Sequence, residues 1–400
     1  MFSFSQSIIF ACLGKIQGGQ ILLKLPDGSS HIFGTLDKLE PHSIEVTIFD
    51  TKVFQWILSK GDIGVAEGFF KGLWDTNDLE ELLILALKNR SALENLIYGS
   101  WFGSLIYKIK HFFNKNTKAG SKRNIQAHYD LGNKFYELWL DPSMIYSSAT
   151  FGDSGQKSLQ QAQQDKCQRI LELLQNKPGE SILEIGCGWG GFMKEALSKD
   201  LNVDGITISQ EQFNYVSQSL ALTASNTDKN QGQVLLQDYR ECSKQYDGIA
   251  SIEMFEAVGE AYWPSYFASI YRCLKPGKRA VIQSIVIDDL LFYKYRTNTD
   301  FIQQYVFPGG MLPSVFVFEK HAVDVGLKIK DKFFFGNDYS TTLRIWADSF
   351  NDKVKDIKAL GFKDEFIRLW NFYLMYCSAG FTGKTIDVVQ FTLEKPIDAT

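Results

Sequence analysis

The residues of this chain best suited to chemistry lie in one run, Leu183-Glu184-Ile185-Gly186-Cys187-Gly188-Trp189-Gly190-Gly191. A carboxylate ends an apolar segment there, and Gly186, Gly188 and Gly190 follow at every second position. Glycine lets the backbone turn tightly and lets a ligand come close to the main chain. The spacing differs from the Gly-x-Gly-x-x-Gly of dinucleotide-binding turns, and Glu184 would repel a pyrophosphate while favouring a ligand that carries an ammonium group. S-Adenosylmethionine has that chemistry. After the next apolar run, Thr207, Ser209 and Gln212 are placed to hydrogen-bond a ribose and a methionine carboxylate. After the one that follows come Asp238, able to accept from an adenine amino group, and Tyr239.

Such a site needs strands that end at one edge of a sheet. Apolar runs at 181–185, 203–208, 234–236, 248–252 and 280–284 alternate with helical patterns at 212–222 and 266–273, after a helical stretch over 158–174. This alternation predicts a doubly wound parallel α/β sheet flanked by helices, and the alternating run 386–393 predicts a last, antiparallel strand. Upstream, short strand-like runs at 20–25, 31–33 and 44–49 surround the Pro26-Asp27-Gly28 turn and precede a helix over 78–89, which describes a small α+β domain. Between the two, no Asp or Glu occurs over 95–129, while Lys108, Lys110, Lys115, Lys118, Lys122 and Arg123 do. We read residues 1–110 as an N-terminal domain, 111–123 as a basic linker and 124–400 as the cofactor-binding domain.

Composition excludes several classes of function. The 42 basic and 46 acidic residues nearly cancel to a net −4, so no global field attracts nucleic acid. The longest apolar run near the N-terminus, 7–13, is far shorter than the ~20 residues that span a bilayer, and the chain reads as cytoplasmic. Six scattered cysteines without a C-x-x-C pair fit reduced thiols, and no His, Cys and Asp cluster has metal-ligand spacing. The 31 Phe and 17 Tyr suit a large apolar cavity or a lipid contact as well as ordinary core filling. Over 101–113 apolar residues follow a helical stripe beside Lys108, Lys110 and His111, which suits either peripheral binding to an anionic membrane face or packing on the domain.

Several motifs taken together resemble the cyclopropane-fatty-acyl-phospholipid synthase and mycolic acid methyltransferase family. They are Gln126-Ala127-His128-Tyr129-Asp130-Leu131-Gly132-Asn133, Met144-Ile145-Tyr146-Ser147-Ser148-Ala149, the run 184–191, the segment 207–212, Met254-Phe255-Glu256, Phe307-Pro308-Gly309-Gly310-Met311-Leu312-Pro313-Ser314 and Asp338-Tyr339. The resemblance runs from about residue 126 to the end, and 61–64 with 74–79 are similar to the smaller N-terminal domain of the bacterial lipid enzymes.

The resemblance implies a seven-stranded class I, Rossmann-like methyltransferase fold in which Tyr146, Ser147, the glycine run, 207–212 and Tyr239 with Arg240 surround S-adenosylmethionine. It further implies that a cis double bond in a phospholipid acyl chain attacks the sulfonium methyl, and that a bound bicarbonate ion removes the excess proton. The residues implied around that ion are Glu256, Tyr339, Ser148, Gln283 and Cys377. Two of them depart from the family's pattern: Ser148 stands where many synthases have Cys, and Gln283 where they have His. Related branches with these substitutions add a methyl or methylene branch without closing a ring, and some plant amine methyltransferases share both. The expected function is therefore cyclopropanation of an unsaturated phospholipid. A branched-chain synthase, a small-amine methyltransferase and a lipid-binding protein without turnover are the alternatives. An unsaturated phospholipid at the membrane surface is the expected partner, with a homodimer also open.

Overall fold

The computed structural model describes residues 3–35, 43–97, 131–152, 157–223 and 231–397, with the backbone alone at 95–97 and 222–223. The basic stripe at 101–113, the linker at 111–123 and the segment 126–130 lie outside the described residues. The chain divides into two compact units: Met1–Phe113 with Tyr293–Pro308 and Asn351–Thr385, and Asn114–Phe292 with Gly309–Phe350 and Ile386–Thr400. Two stretches that the sequence reading places in the second domain thus group with the first.

In the first unit, strands β1 (Gly19–Lys24), β2 (Ser30–Thr35), β3 (Ser43–Ile48) and β4 (Trp74–Thr76) form a sheet in the order β2-β1-β3-β4. β1 pairs antiparallel with β2 and parallel with β3. Its inward residues Ile21, Leu23, Ile44, Val46 and Ile48 are buried at every second position, the period of a half-buried strand. The helices Lys52–Lys60 and Asp62–Phe70 pass so closely that a Cβ on Gly64 would lie 2.2 Å from the Trp56 carbonyl oxygen.

Polar ties explain why distant segments join this unit. On the helix Asp364–Thr382, Arg368 donates to the Phe69 carbonyl at 2.7 Å, to the Trp74 carbonyl at 3.0 Å and to Asp75 at 3.1 Å. The Ser378 hydroxyl reaches Glu80, and the hydroxyls of Tyr305 and Tyr376 donate to Glu67 at 2.6 Å and to Asp62 at 2.9 Å. None of these contacts has a periodic signature, because each joins residues more than two hundred positions apart.

The second unit is built on seven strands in the order β7-β6-β5-β8-β9-β11-β10. They are β5 (Ser181–Ile185), β6 (Asn202–Thr207), β7 (Gly232–Leu236), β8 (Tyr246–Ile252), β9 (Leu274–Ile287), β10 (Lys328–Phe334) and β11 (Ile386–Glu394). β5 to β9 pair in parallel, while β11 is antiparallel to β9 and to β10. Ile182, Leu183, Val203 and Ile249 are buried, as strands covered on both faces require, and the helix Leu159–Leu174 packs Cys167, Ile170 and Leu174 into the same core. From β5 the chain winds outward through β6 and β7, and β8 then starts on the other side. The carboxyl ends of β5 and β8 therefore flank a switch point, the place where open α/β sheets bind ligands.

Gly64→Ala is expected to force the two helices of the first unit apart. Because the obstacle is backbone, the loss should be of the order of 1–3 kcal/mol, read as a lowered melting temperature in thermal unfolding.

Candidate active site

The turn after β5 is built as its glycines suggest. Gly186, Gly188 and Gly190 have φ of 80°, 53° and 82°, the left-handed region that side chains avoid. At Gly186 a Cβ would also strike Met254 at 2.7 Å, whereas at Gly188 it would meet no protein atom within 4 Å, leaving open space over the main chain. Glu184 is buried beside this turn, and its Oε2 has no hydrogen-bond partner among the described residues. Burial pushes its carboxyl well above the usual range, with Lys166 opposing. An acidic oxygen left without a partner next to open backbone suits a hydroxyl or ammonium ligand, so these residues fit S-adenosylmethionine.

Thr207, Ser209, Gln212, Asp238 and Tyr239 lie at or just after the ends of β6 and β7, while Tyr146 and Ser147 lie in the loop that also carries Ser148. The Thr207 hydroxyl donates to Gln212 at 2.9 Å and accepts from the Ser209 N–H at 3.1 Å, while the Ser209 hydroxyl accepts from the Gln212 N–H at 3.3 Å. Together they close the first turn of the helix Gln210–Thr223, in the manner of an N-cap. Asp238 is engaged by Arg240, whose Nε and Nη2 donate at 2.8 and 2.6 Å. Tyr239 packs edge-on against Tyr266 at 5.4 Å. Tyr146 lies among Tyr136, Trp139 and Trp346, with ring centroids 5.4, 5.6 and 5.3 Å away. The Ser147 hydroxyl accepts from Lys166 at 2.7 Å, and the Ser147 carbonyl accepts from Gln163 at 2.9 Å.

The centre of the site is a residue that sequence reasoning missed. Glu253 follows β8 directly, at the switch point, with φ of 49°. Its Oε1 accepts from the Ser148 backbone N–H and from Gln283 Nε2, both at 2.8 Å, and its Oε2 accepts from the Tyr339 hydroxyl at 2.6 Å. The Gln283 amide is itself oriented, because its oxygen accepts from Gln390 Nε2 at 3.1 Å. Tyr339 rides on the helix Gly336–Asp352, which also fixes the loop bearing Ser148: Thr342 accepts from the Ala149 N–H at 3.1 Å and Asp338 from the Phe151 N–H at 3.0 Å. Burial raises the Glu253 carboxyl, and Tyr339, Lys166, Ser148 and Gln283 hold it down.

Ser148, Gln283 and Tyr339 are thus brought together, though Ser148 contributes its N–H while its hydroxyl donates to the Ala149 carbonyl at 3.0 Å. Glu256 lies next to them. Its Oε1 accepts from the Ile285 N–H and from the Ser284 hydroxyl, and its Oε2 is buried without a partner among the described residues. Burial and then the charge of Glu253 push its carboxyl up to about 8. Cys377 is half-buried on the helix Asp364–Thr382, in the first unit. Two further groups escaped the sequence reading: Gln163 and Lys166, polar residues fully buried on the core face of the helix Leu159–Leu174. Their position among Ala162, Cys167 and Ile170 was the available signal. For Glu253 the signal was an acid directly after a buried parallel strand.

Known proteins are similar to this chain over most of its length. The family model for mycolic acid cyclopropane synthetase matches residues 116–391. The cyclopropane-fatty-acyl-phospholipid synthase of Escherichia coli (strain K12) is 33% identical over 356 residues, 88% of each chain. The tuberculostearic acid methyltransferase UfaA1 of Mycobacterium tuberculosis is 32% identical over 342 residues, 83% of this chain and 79% of its own. Among solved structures, the mycolic acid cyclopropane synthase CmaA1 complexed with SAH and CTAB superposes with a TM-score of 0.63 at 31% identity, covering 68% of this chain and 98% of that one. Coclaurine N-methyltransferase, at 19% identity and a TM-score of 0.63, shares the fold.

Glu256 gives a prediction with a definite sign. A carboxyl raised from its ordinary 4.5 to about 8 on folding binds its proton more tightly in the native state. Its stabilising contribution is complete below pH 4.5 and is lost as pH rises toward 8. Glu253 and the Tyr266 hydroxyl are the titratable groups coupled to it. Glu256→Gln, neutral at every pH, should therefore gain on the wild type in melting temperature between pH 5 and 8, by a few degrees. A constant difference across that range would place the Glu256 titration at its ordinary value.

Proposed function

The chain belongs to the mycolic acid cyclopropane synthetase family, and from that premise we propose that it alkylates the cis double bond of an unsaturated phospholipid acyl chain, using S-adenosylmethionine and closing a cyclopropane ring. The observation that carries this reading is the buried Glu253–Tyr339–Gln283–Ser148 constellation at the switch point, beside an open glycine turn. A phospholipid is favoured over a mycolic substrate by the extent of the likeness. The E. coli phospholipid enzyme aligns over 88% of this chain, and the mycolic acid synthases over 68%.

The cofactor would be held by the turn Gly186–Gly190, Glu184, Tyr146 and Ser147, with Thr207, Ser209, Gln212, Asp238 and Tyr239 around it. When bound it supplies an electrophilic methyl on a sulfonium centre. The chain's own residues then have two tasks. The rings of Tyr136, Trp139, Tyr146 and Trp346 form an apolar wall whose π faces stabilise cationic character developing on the acyl chain. That wall also excludes water, which would otherwise capture the cation. A base must take the excess proton, and the bicarbonate ion implied by the resemblance does not fit the residues present: the donors of Tyr339, Gln283 and Ser148 that would hold it already end on Glu253.

No helix among the described residues is long and apolar enough to cross a membrane; in this reading the lipid is reached by docking from one face. Leu290 and Phe316, 89% and 67% exposed, support such contact; the Phe316 N–H bonds Asp289 at 3.3 Å, which sets the two side chains in neighbouring segments. A second reading keeps the substrate and changes the product. The likeness to a tuberculostearic acid methyltransferase favours a methyl or methylene branch in place of the ring.

Incubation with methyl-labelled S-adenosylmethionine and vesicles of cis-monounsaturated phosphatidylethanolamine should place label in the acyl chains. Upfield cyclopropane proton resonances in the recovered lipid would identify the ring; their absence from labelled lipid selects the branch, and no label in lipid defeats both. Tyr339→Phe should lower the rate more than Ser148→Ala, by roughly ten- to a hundredfold, because only the former removes a donor from the buried carboxylate.

A further inference from the structure

We infer that Glu253 is itself the catalytic base, a carboxylate of the chain standing where an exchangeable anion would otherwise bind. The assignment rests on the lipid alkylation proposed above. It is carried by the direction of three hydrogen bonds: the Tyr339 hydroxyl, the Gln283 amide and the Ser148 N–H converge on the two oxygens of this one side chain, at 2.6, 2.8 and 2.8 Å. A small anion in the same seat would have to displace the carboxylate from all three and would meet its negative charge. Gln283 and Gln390 are positioning residues here. The Gln390 amide donates to the Gln283 oxygen, so Gln283 presents its NH2 to Glu253.

The backbone supports the same conclusion. Glu253 is held at φ of 49°, a conformation that costs a side-chain-bearing residue energy and that glycine adopts freely. Other side chains here share that backbone, Gln175 and Asp200 among them, but Glu253 does so while buried and held by three donors. The proton transfer balances chemically. Once the double bond has formed its new carbon–carbon bond, with the sulfonium electron pair retained on sulfur, the acyl chain is a carbocation with one proton too many. The Glu253 carboxylate accepts a proton from the added carbon, and the C–H electron pair closes the ring. The carboxylic acid so formed returns its proton to solvent before the next turnover.

The test compares wild type, Glu253→Gly and Glu253→Gln in buffer stripped of carbon dioxide, with and without added bicarbonate. Wild-type turnover should not respond to bicarbonate. Glu253→Gly relieves the backbone strain and vacates the seat, so its rate should fall roughly a hundredfold or more and be restored in part by bicarbonate. Glu253→Gln fills the seat without a basic oxygen and should stay inactive in both buffers. Binding is read separately by the thermal shift that bicarbonate produces, expected for Glu253→Gly and absent for wild type and Glu253→Gln. Wild-type activity lost on stripping and restored by bicarbonate, or a bicarbonate shift equal in wild type and Glu253→Gly, overturns the assignment. If no protein labels lipid, the proposed substrate fails, and the binding shifts still decide what occupies the seat. Should Glu253→Gly not fold, the wild-type bicarbonate response and the Glu253→Gln isostere decide the matter.

Discussion

The structure of the second unit depends on how a carboxylate is kept inside a protein. Removing an ion from water has an effective penalty of several kcal/mol, and the left-handed backbone at Glu253 adds about 1–2 kcal/mol. Three hydrogen bonds to a charged acceptor contribute roughly 1.5–3 kcal/mol each, enough to offset both, provided that all three form at once. This condition fixes much of the architecture. β9 must supply Gln283, β11 must supply Gln390 to orient it, and the helix Gly336–Asp352 must supply Tyr339 while tying down the loop that carries Ser148. Four separate stretches of chain are locked together by one side chain.

The same logic separates the two acids. Glu253 accepts from three donors, one of them a phenol, with Lys166 near enough to favour its ionised form; Glu256 has a free buried oxygen and a negative neighbour. Two carboxyls in one apolar site do not ionise together easily: burial raises both, and the donors around Glu253 oppose that rise while the charge of Glu253 adds to it at Glu256. Lys166 shares in this balance. Fully buried and bonded to Ser147, it is a base whose pKa burial lowers and which Glu253 and Glu184 help to keep charged, so it links the cofactor side of the site to the proton-accepting side.

What was legible in the sequence follows from periodicity and from local turn chemistry. The strand runs at 181–185 and 248–252, the helix over 158–174 and the glycine turn each report their structure within a dozen residues, because burial on both faces or positive φ restricts residue type locally. Ser148, Gln283, Tyr339 and Glu256 could be named only through resemblance, and the structure gathers them. Glu253 carries only a weak signal: an acid directly after a buried parallel strand resembles a solvated loop residue until its three donors are brought in from 105, 30 and 86 positions away. The grouping of 293–308 and 351–385 with the N-terminal unit was hidden for the same reason. Arg368 has no local pattern that announces carbonyl partners near residue 70.

Ser148 and Gln283, the two positions at which the resemblance implies a departure from the family pattern, meet one physical constraint. A neutral imidazole or imidazolium beside a fixed carboxylate would share a proton with it and lower its basicity, whereas an amide held by Gln390 donates without titrating. A cysteine thiol is a weak donor that a backbone N–H surpasses, so with Ser148 N–H on Glu253 the side chain at that position is free to be a serine turned toward the Ala149 carbonyl. Ser148 and Gln283 then read as adjustments to a negative charge built into the chain. The acid at 253 ties the two positions together, since the Ser148 N–H and the Gln283 amide are non-titrating donors to the same oxygen, Oε1.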